Sequence, residues 1–226
     1  TYTTPASGGC AAVTATTSVT ITAVPVATFS YAGTPYCKTA ANPSPTFSGG
    51  GVAGTFSSTA GLVFVSTSTG QIDLAASTPG TYTVTNTIAA SGGCAQVTAT
   101  SSVTITALPV ATFSYTGTPY CKNAANPSPT FSGGGVAGTF SSTAGLVFVS
   151  ASTGQINLAA STAGTYTVTN TIAAAGGCPQ VTATSSVTIT AVPTATISYA
   201  GPFCITVSTA QSVTLSGTGA YTGGTF

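Results

Sequence analysis

Six cysteines are the only residues of this 226-residue chain whose chemistry and spacing form a pattern. Cys10, Cys94 and Cys178 each follow Gly-Gly and recur at one fixed interval, whereas Cys37, Cys121 and Cys204 each close a Pro-Tyr-Cys or Pro-Phe-Cys run. Paired thiols staple small domains in oxidising surroundings. As zinc ligands they would need companions, and there is no His and no Cys-x-x-Cys. Acid–base and nucleophilic catalysis need a titratable partner beside the reacting group. The charged side chains are Lys38, Lys122 and Asp73, with no Glu or Arg, so no catalytic residue, metal site or cofactor is expected. Calcium-clamped repeats need several carboxylates per site and fall to the same count. A Lys–Asn isopeptide cross-link at Lys38 or Lys122 lacks its promoting acid in the second copy, where Asn157 replaces Asp73. Lys38 and Lys122, far apart in sequence, make neither a nucleic-acid patch nor a polybasic membrane anchor. No apolar run approaches the roughly 20 residues of a spanning helix.

The spacing of the cysteines follows from repetition. Residues 24–107 and 108–191 are the same 84-residue unit with eight changes: Val24/Leu108, Ala32/Thr116, Thr39/Asn123, Thr67/Ala151, Asp73/Asn157, Pro79/Ala163, Ser91/Ala175 and Ala95/Pro179. Residues 1–23 match the last part of a preceding unit and residues 192–226 open a following, more divergent one, so the chain is expected to be an excerpt of a longer array. Copies in series supply length and multivalency rather than one catalytic site. A domain this small buries only about 60–65% of its unfolded surface, so a covalent staple is useful. Near-absence of Lys and Arg leaves few trypsin-type cleavage points, and there is no Met to oxidise, which suits an extracellular, oxidising setting. Without charged gatekeepers, sheet edges invite lateral association with like chains unless glycans cover them. Pro43 and Pro127 block the two near matches to an N-glycosylation sequon, leaving Ser and Thr hydroxyls as sites for glycans.

Hydrophobic periodicity is two. In the run Thr81-Tyr82-Thr83-Val84-Thr85-Asn86-Thr87-Ile88, Tyr82, Val84 and Ile88 share a face and threonines line the other. Residues 97–100 and 102–106 continue the pattern, across a hairpin tip at Ala90-Ser91-Gly92-Gly93-Cys94. Shorter strands are expected at 26–31, 45–48, 52–58, 62–66 and 71–75, and at 211–215 in the third copy. Phe29, Tyr31, Phe47, Phe56, Phe64 and Tyr82 read as core or junction filler. About seven short strands without a helical pattern predict an all-β fold of Greek-key sandwiches. The short Ala107-Leu108-Pro109 junction should hold neighbouring units at a fixed angle.

The run at residues 54–94, GTFSSTAGLVFVSTSTGQIDLAASTPGTYTVTNTIAASGGC, followed by VTATSSVTIT and preceded by VPVATFSYAGTPYC, resembles the immunoglobulin-like tandem repeats of very large Bacteroidota surface proteins of the adhesin and gliding-associated type. The resemblance implies tandem immunoglobulin-like sandwiches stacked end to end, commonly as spacers for other domains. Six cysteines allow fifteen pairings. Within one unit, Cys37 would join Cys94 and Cys121 would join Cys178. In an immunoglobulin-like sandwich the loop after the first strand lies opposite the last hairpin, and bridged Cα atoms must come within about 7 Å, which favours Cys37 with Cys178 between units. Cys94 with Cys121 would require the units to fold back.

Two functions compete on these residues. One is a stalk or filament of an extracellular bacterial surface, each unit adding roughly 35–45 Å if its longest strand has about ten residues. The other is a carbohydrate-binding module whose threonine rows and exposed Tyr36 and Tyr120 gain avidity by repetition.

Overall fold

A computed structural model describes residues 1–218; residues 219–226, the end of the expected third copy, lie outside the described part. Two compact units emerge, one made of Thr1–Leu108 with Gly176–Cys178, the other of Pro109–Ala175 with Pro179 onward. All regular elements among the described residues are strands.

In the first unit, β1 (Tyr2–Thr4) pairs with β2 (Val13–Ala15). The complete copy follows as β3 (Phe29–Ser30), β4 (Tyr36–Cys37), β5 (Thr46–Phe47), β6 (Thr55–Ser58), β7 (Phe64–Ser66), β8 (Gln71–Ile72), β9 (Gly80–Ile88) and β10 (Val97–Thr106). The order β4-β10-β9-β6 forms one sheet, in which β9 is antiparallel to both neighbours and β4 runs parallel to β10. The β3–β5 and β7–β8 pairs supply the opposing layer. Between them lies a core of Phe29, Tyr31, Phe56, Leu62, Ile72, Leu74, Tyr82, Val84, Val103 and Ile105. Phe29 meets Phe56 edge-on at 5.3 Å, a geometry that brings a ring's positive edge to its neighbour's negative face. The Tyr82 hydroxyl, near the start of β9, donates to the Thr78 carbonyl at 2.7 Å, the tyrosine corner of immunoglobulin-like sandwiches.

The second unit repeats this plan. Its strands are β11 (Phe113–Ser114), β12 (Tyr120–Cys121), β13 (Thr130–Phe131), β14 (Thr139–Ser142), β15 (Phe148–Ser150), β16 (Gln155–Ile156), β17 (Gly164–Ile172) and β18 (Val181–Thr190), with sheet order β12-β18-β17-β14. Then β19 (Thr194–Ser198) pairs with β20 (Thr214–Thr218). Ser198 faces Thr214 as Ser30 faces Thr46, so the divergent third copy keeps the register while Ile197 and Leu215 replace Phe29 and Phe47.

The long hairpin lies where the alternation placed it, with β10 continuous across the two segments expected. The shorter strands are shorter still, and Asn86 supplies the reason. It falls on the inward register between Val84 and Ile88 and is fully buried. Its amide Nδ2 donates to the carbonyls of Ala27 (3.0 Å) and Val52 (2.9 Å), and its Oδ1 accepts from Gly54 N–H at 2.8 Å. One side chain therefore does the pairing that a ladder would do at the expected starts of 26–31 and 52–58. A bulge between Phe64 and Ser66 interrupts another segment. In the third copy the strand covers Thr214–Thr218 rather than 211–215.

Replacing Asn86 by Ala orphans two carbonyls and one N–H, each costing about 1–3 kcal/mol when buried. A loss of about 3–4 kcal/mol is expected, seen as a lower urea midpoint by tyrosine fluorescence, with Asn170→Ala giving the same loss in the second copy. Burial also raises the pKa of Tyr31 and Tyr115 well above the ordinary phenol value, with Tyr36 and Tyr120 adding smaller repulsions. The sign follows: the unfolded phenols ionise near pH 10 while the folded ones hold their protons, so stability is intact below that pH and falls as pH climbs towards the folded pKa. Tyr31→Phe with Tyr115→Phe should flatten this alkaline loss, read as midpoint against pH.

Candidate functional site

The cysteine chemistry is concentrated where β10 ends. β4 lies parallel to it, with Tyr36 opposite Ile105 and Cys37 opposite Thr106. Lys38 N–H donates to Thr106 O at 2.9 Å, fixing the cysteine at the rim of the sheet. A second element, the tip Gly176–Cys178, belongs to this same compact unit. Cys37 and Cys178 form a disulfide with S–S 1.99 Å, Cα atoms 4.6 Å apart and a sequence separation of 141 residues. Of the pairings the sequence allows, the one joining the first copy to the tip of the second is therefore present, while Cys10, Cys94, Cys121 and Cys204 are free thiols.

The tip is built for this approach. Gly176 and Gly177 have φ of +58° and +75°, the signs that a two-residue type I′ hairpin loop needs at both central positions. A Cβ on Gly177 would lie 2.1 Å from the Pro35 carbonyl oxygen, so only glycine lets the backbones meet. The Thr106 hydroxyl stands within hydrogen-bond reach of the Tyr36 and Gly176 carbonyls and of Cys178 Sγ. It donates to one of these at a time and so ties strand, base and tip together. Cys37 and Cys178 are 1% and 5% exposed, which keeps reductant from the bond. On the chain-entropy model a loop of this size is worth about 5 kcal/mol.

The other chemically notable residues are structural. Asp73 Oδ1 accepts from Ala76 N–H at 3.1 Å, and Asn157 Oδ1 accepts from Ala160 N–H at 3.1 Å, so that exchange of acid for amide keeps one turn. Tyr36 and Tyr120, expected to be exposed, are half-buried against the two cores. Their hydroxyls donate to Ala32 O and Thr116 O, and burial raises both pKa values. This corrects their assignment to a ligand-facing surface, because the phenol tip is already committed to backbone. The threonines of β9 and β10 do line the outer face, in cross-strand pairs such as Thr81 with Thr104, whose hydroxyl oxygens are 3.0 Å apart. Cys10 and Cys204 are exposed, and a hydrogen bond with Thr206 lowers the pKa of the Cys204 thiol. Sequence reasoning missed β4. A two-residue strand after proline has no alternation to read, and its partners, Ile105 and Thr106, lie at the far end of the copy.

No family model matches the chain, and no curated protein matches it. Among solved structures it is similar to a SusE-like surface located polysaccharide binding protein from the Bacteroides thetaiotaomicron heparin utilisation locus, at 19% identity and TM-score 0.28, over 77% of this chain and 36% of that one. It is also similar to a Drosophila N-cadherin fragment, at 9% identity and TM-score 0.34 over 69% and 46%. A third is the protocadherin GammaB4 extracellular domain, at 13% identity and TM-score 0.31 over 79% and 35%. The chain thus spans less than half the length of each.

Gly177→Ala and Gly93→Ala both place a side chain at positive φ, but Gly93 has nothing within 4 Å. After refolding in a glutathione buffer, Gly177→Ala should shift the Cys37–Cys178 thiol-to-disulfide ratio at least tenfold towards thiol. Gly93→Ala should leave the ratio unchanged, as counted by maleimide labelling.

Proposed function

We propose that this chain is a structural repeat region of an extracellular bacterial filament or surface adhesin stalk, a non-catalytic spacer whose successive copies are stapled by disulfides. The observation that carries the reading is the Cys37–Cys178 bond, which ties one near-identical copy to the next rather than closing a copy on itself. A spacer must transmit tension without unravelling, and a bond between copies gives tension a covalent route around the residues it encloses. A disulfide in so small a repeat also suits the oxidising outside of a cell. The likeness of the repeat motif to Bacteroidota adhesin and gliding-associated arrays supports a cell-surface setting. The row of outward threonines provides a neutral face that glycans or neighbouring chains would meet.

Pulling single molecules by their two ends tests the mechanical role. With the bond intact the enclosed 141-residue span cannot lengthen, and reduction should add about 470–510 Å of extensible chain. A force–extension curve unaffected by reductant would mean that tension does not pass through the bond, and the spacer reading would lose its support.

A further inference from the structure

Cys94 and Cys121 are free, yet each sits in one half of the arrangement that Cys37 and Cys178 complete. We propose that both are half-junctions, each forming the same base-to-tip disulfide with the adjoining copy of this repeat in the same polypeptide. Cys94 takes the Pro-Tyr-Cys base of the copy before it, and Cys121 takes the Gly-Gly-Cys tip of the copy after it. The inference rests on Cys37–Cys178 as a bond between successive copies, and not on the spacer role.

The tip half is already formed at Cys94. Ser91 and Cys94 exchange backbone hydrogen bonds of 2.9 and 3.2 Å around Gly92 and Gly93, both at positive φ. Gly92 lies against Thr22 as Gly176 lies against Thr106, and Cys94 Sγ is 3.6 Å from Thr22 O. The flank that Pro35 fills beside Gly177 is empty beside Gly93. The base half is formed at Cys121, which stands opposite Thr190 in the parallel β12–β18 pair. Lys122 N–H donates to Thr190 O at 3.0 Å and the Thr190 hydroxyl to Tyr120 O at 3.2 Å, as their counterparts do in the closed junction. Cys37 is buried and Thr106 half-buried, whereas Cys121 is half-buried and Thr190 exposed, as expected of a base without its tip.

An independent observation says what the missing half is. A base cysteine pairs beside Ile105 and Thr106, and the same register positions ahead of Cys94 are Ile21 and Thr22. Ile105 is 1% exposed but Ile21 is 93% exposed, and Val19 is 82% exposed where Val103 is 0%. The body of a copy whose own last strand runs into Thr22 would cover both residues, which makes an adjoining copy in the same polypeptide the fitting partner. Closing each junction oxidises two thiols to one disulfide. The two electrons and two protons pass to an oxidant such as glutathione disulfide, which leaves as two glutathione thiols.

Adding copies tests both halves. A duplicate of residues 108–191 inserted after residue 191 raises the cysteine count from six to eight, and a duplicate of residues 24–107 inserted before residue 24 does the same on the other side. After refolding with glutathione disulfide, either extended chain should show four maleimide-reactive thiols, the number in the 226-residue chain, because the added bond takes one original and one inserted cysteine and leaves the other inserted one free. In the first, non-reducing peptide maps should link the Cys121 peptide, recognised by Asn123, to a tip peptide carrying Ala-Gly-Gly-Cys-Pro. In the second, the Cys94 peptide, carrying Ser-Gly-Gly-Cys-Ala, should be linked to a Pro-Tyr-Cys peptide. Cys121→Ser in the first chain should raise the thiol count to five. Six reactive thiols, a Cys94–Cys121 bond, or dimers that separate on reduction would overturn the proposal. The pulling measurement on the 226-residue chain stands or falls separately, because it depends on Cys37–Cys178 alone.

Discussion

The ladder between β9 and β10 is the constraint on which the rest of each copy depends. Its nine facing pairs turn Tyr82, Val84, Asn86, Val103 and Ile105 to one side and threonines to the other. A slip of one residue would exchange the two faces and place hydroxyls in the core. The same ladder sets the position of the cysteine chemistry, since β4 reads its place from Ile105 and Thr106. Beyond Thr106 the chain leaves the sheet, and there the tip carrying Cys178 is held. Core, rim and staple are thus consequences of one register.

Much of this was legible in the residues, because the ladder is local and obeys a period of two. The aromatic core was legible for the same reason, although Phe47 is 39% exposed and serves as an edge partner of Phe56 at 6.4 Å rather than as a buried residue. Less legible were features that depend on distant residues. Asn86 reads as a polar interruption in a strand, and its role as a substitute ladder appears only when Ala27, Val52 and Gly54 are brought beside it. Tyr36 reads as a surface aromatic because its neighbours are Pro and Cys; its hydroxyl partner and its packing come from the fold. The cysteine pairing was ambiguous because the two types recur at the same spacing, and only the approach at Gly177 and Pro35 separates the alternatives.

The nearly uncharged composition has a structural counterpart. Thr81–Thr104 and Thr165–Thr188 pair hydroxyl to hydroxyl across the strands, so the outer face satisfies part of its polarity within itself. Such a face neither repels nor selects by charge, which separates it from nucleic-acid or electrostatically steered surfaces. It costs little to cover and little to leave in water. Specificity in this protein is accordingly placed in backbone geometry, in the paired glycines of each tip and the cysteine beside them.

The covalent topology carries a mechanical consequence if every junction along an array closes. The bonds overlap, and the shortest covalent route runs from a tip cysteine to the next base cysteine, as from Cys94 to Cys121, before crossing a disulfide. That stretch of chain serves for every two copies. Fully extended it reaches about 90–97 Å. Two such routes run side by side, one through each alternate set of junctions. Stretch would then stop at a limit fixed by covalent geometry rather than by unfolding free energy. The stretch from Cys37 to Cys94, which holds Phe56, Ile72, Leu74, Tyr82, Val84 and Asn86, lies outside the loaded segment. A core of modest stability could therefore survive in a fibre under tension, because the force would not pass through it.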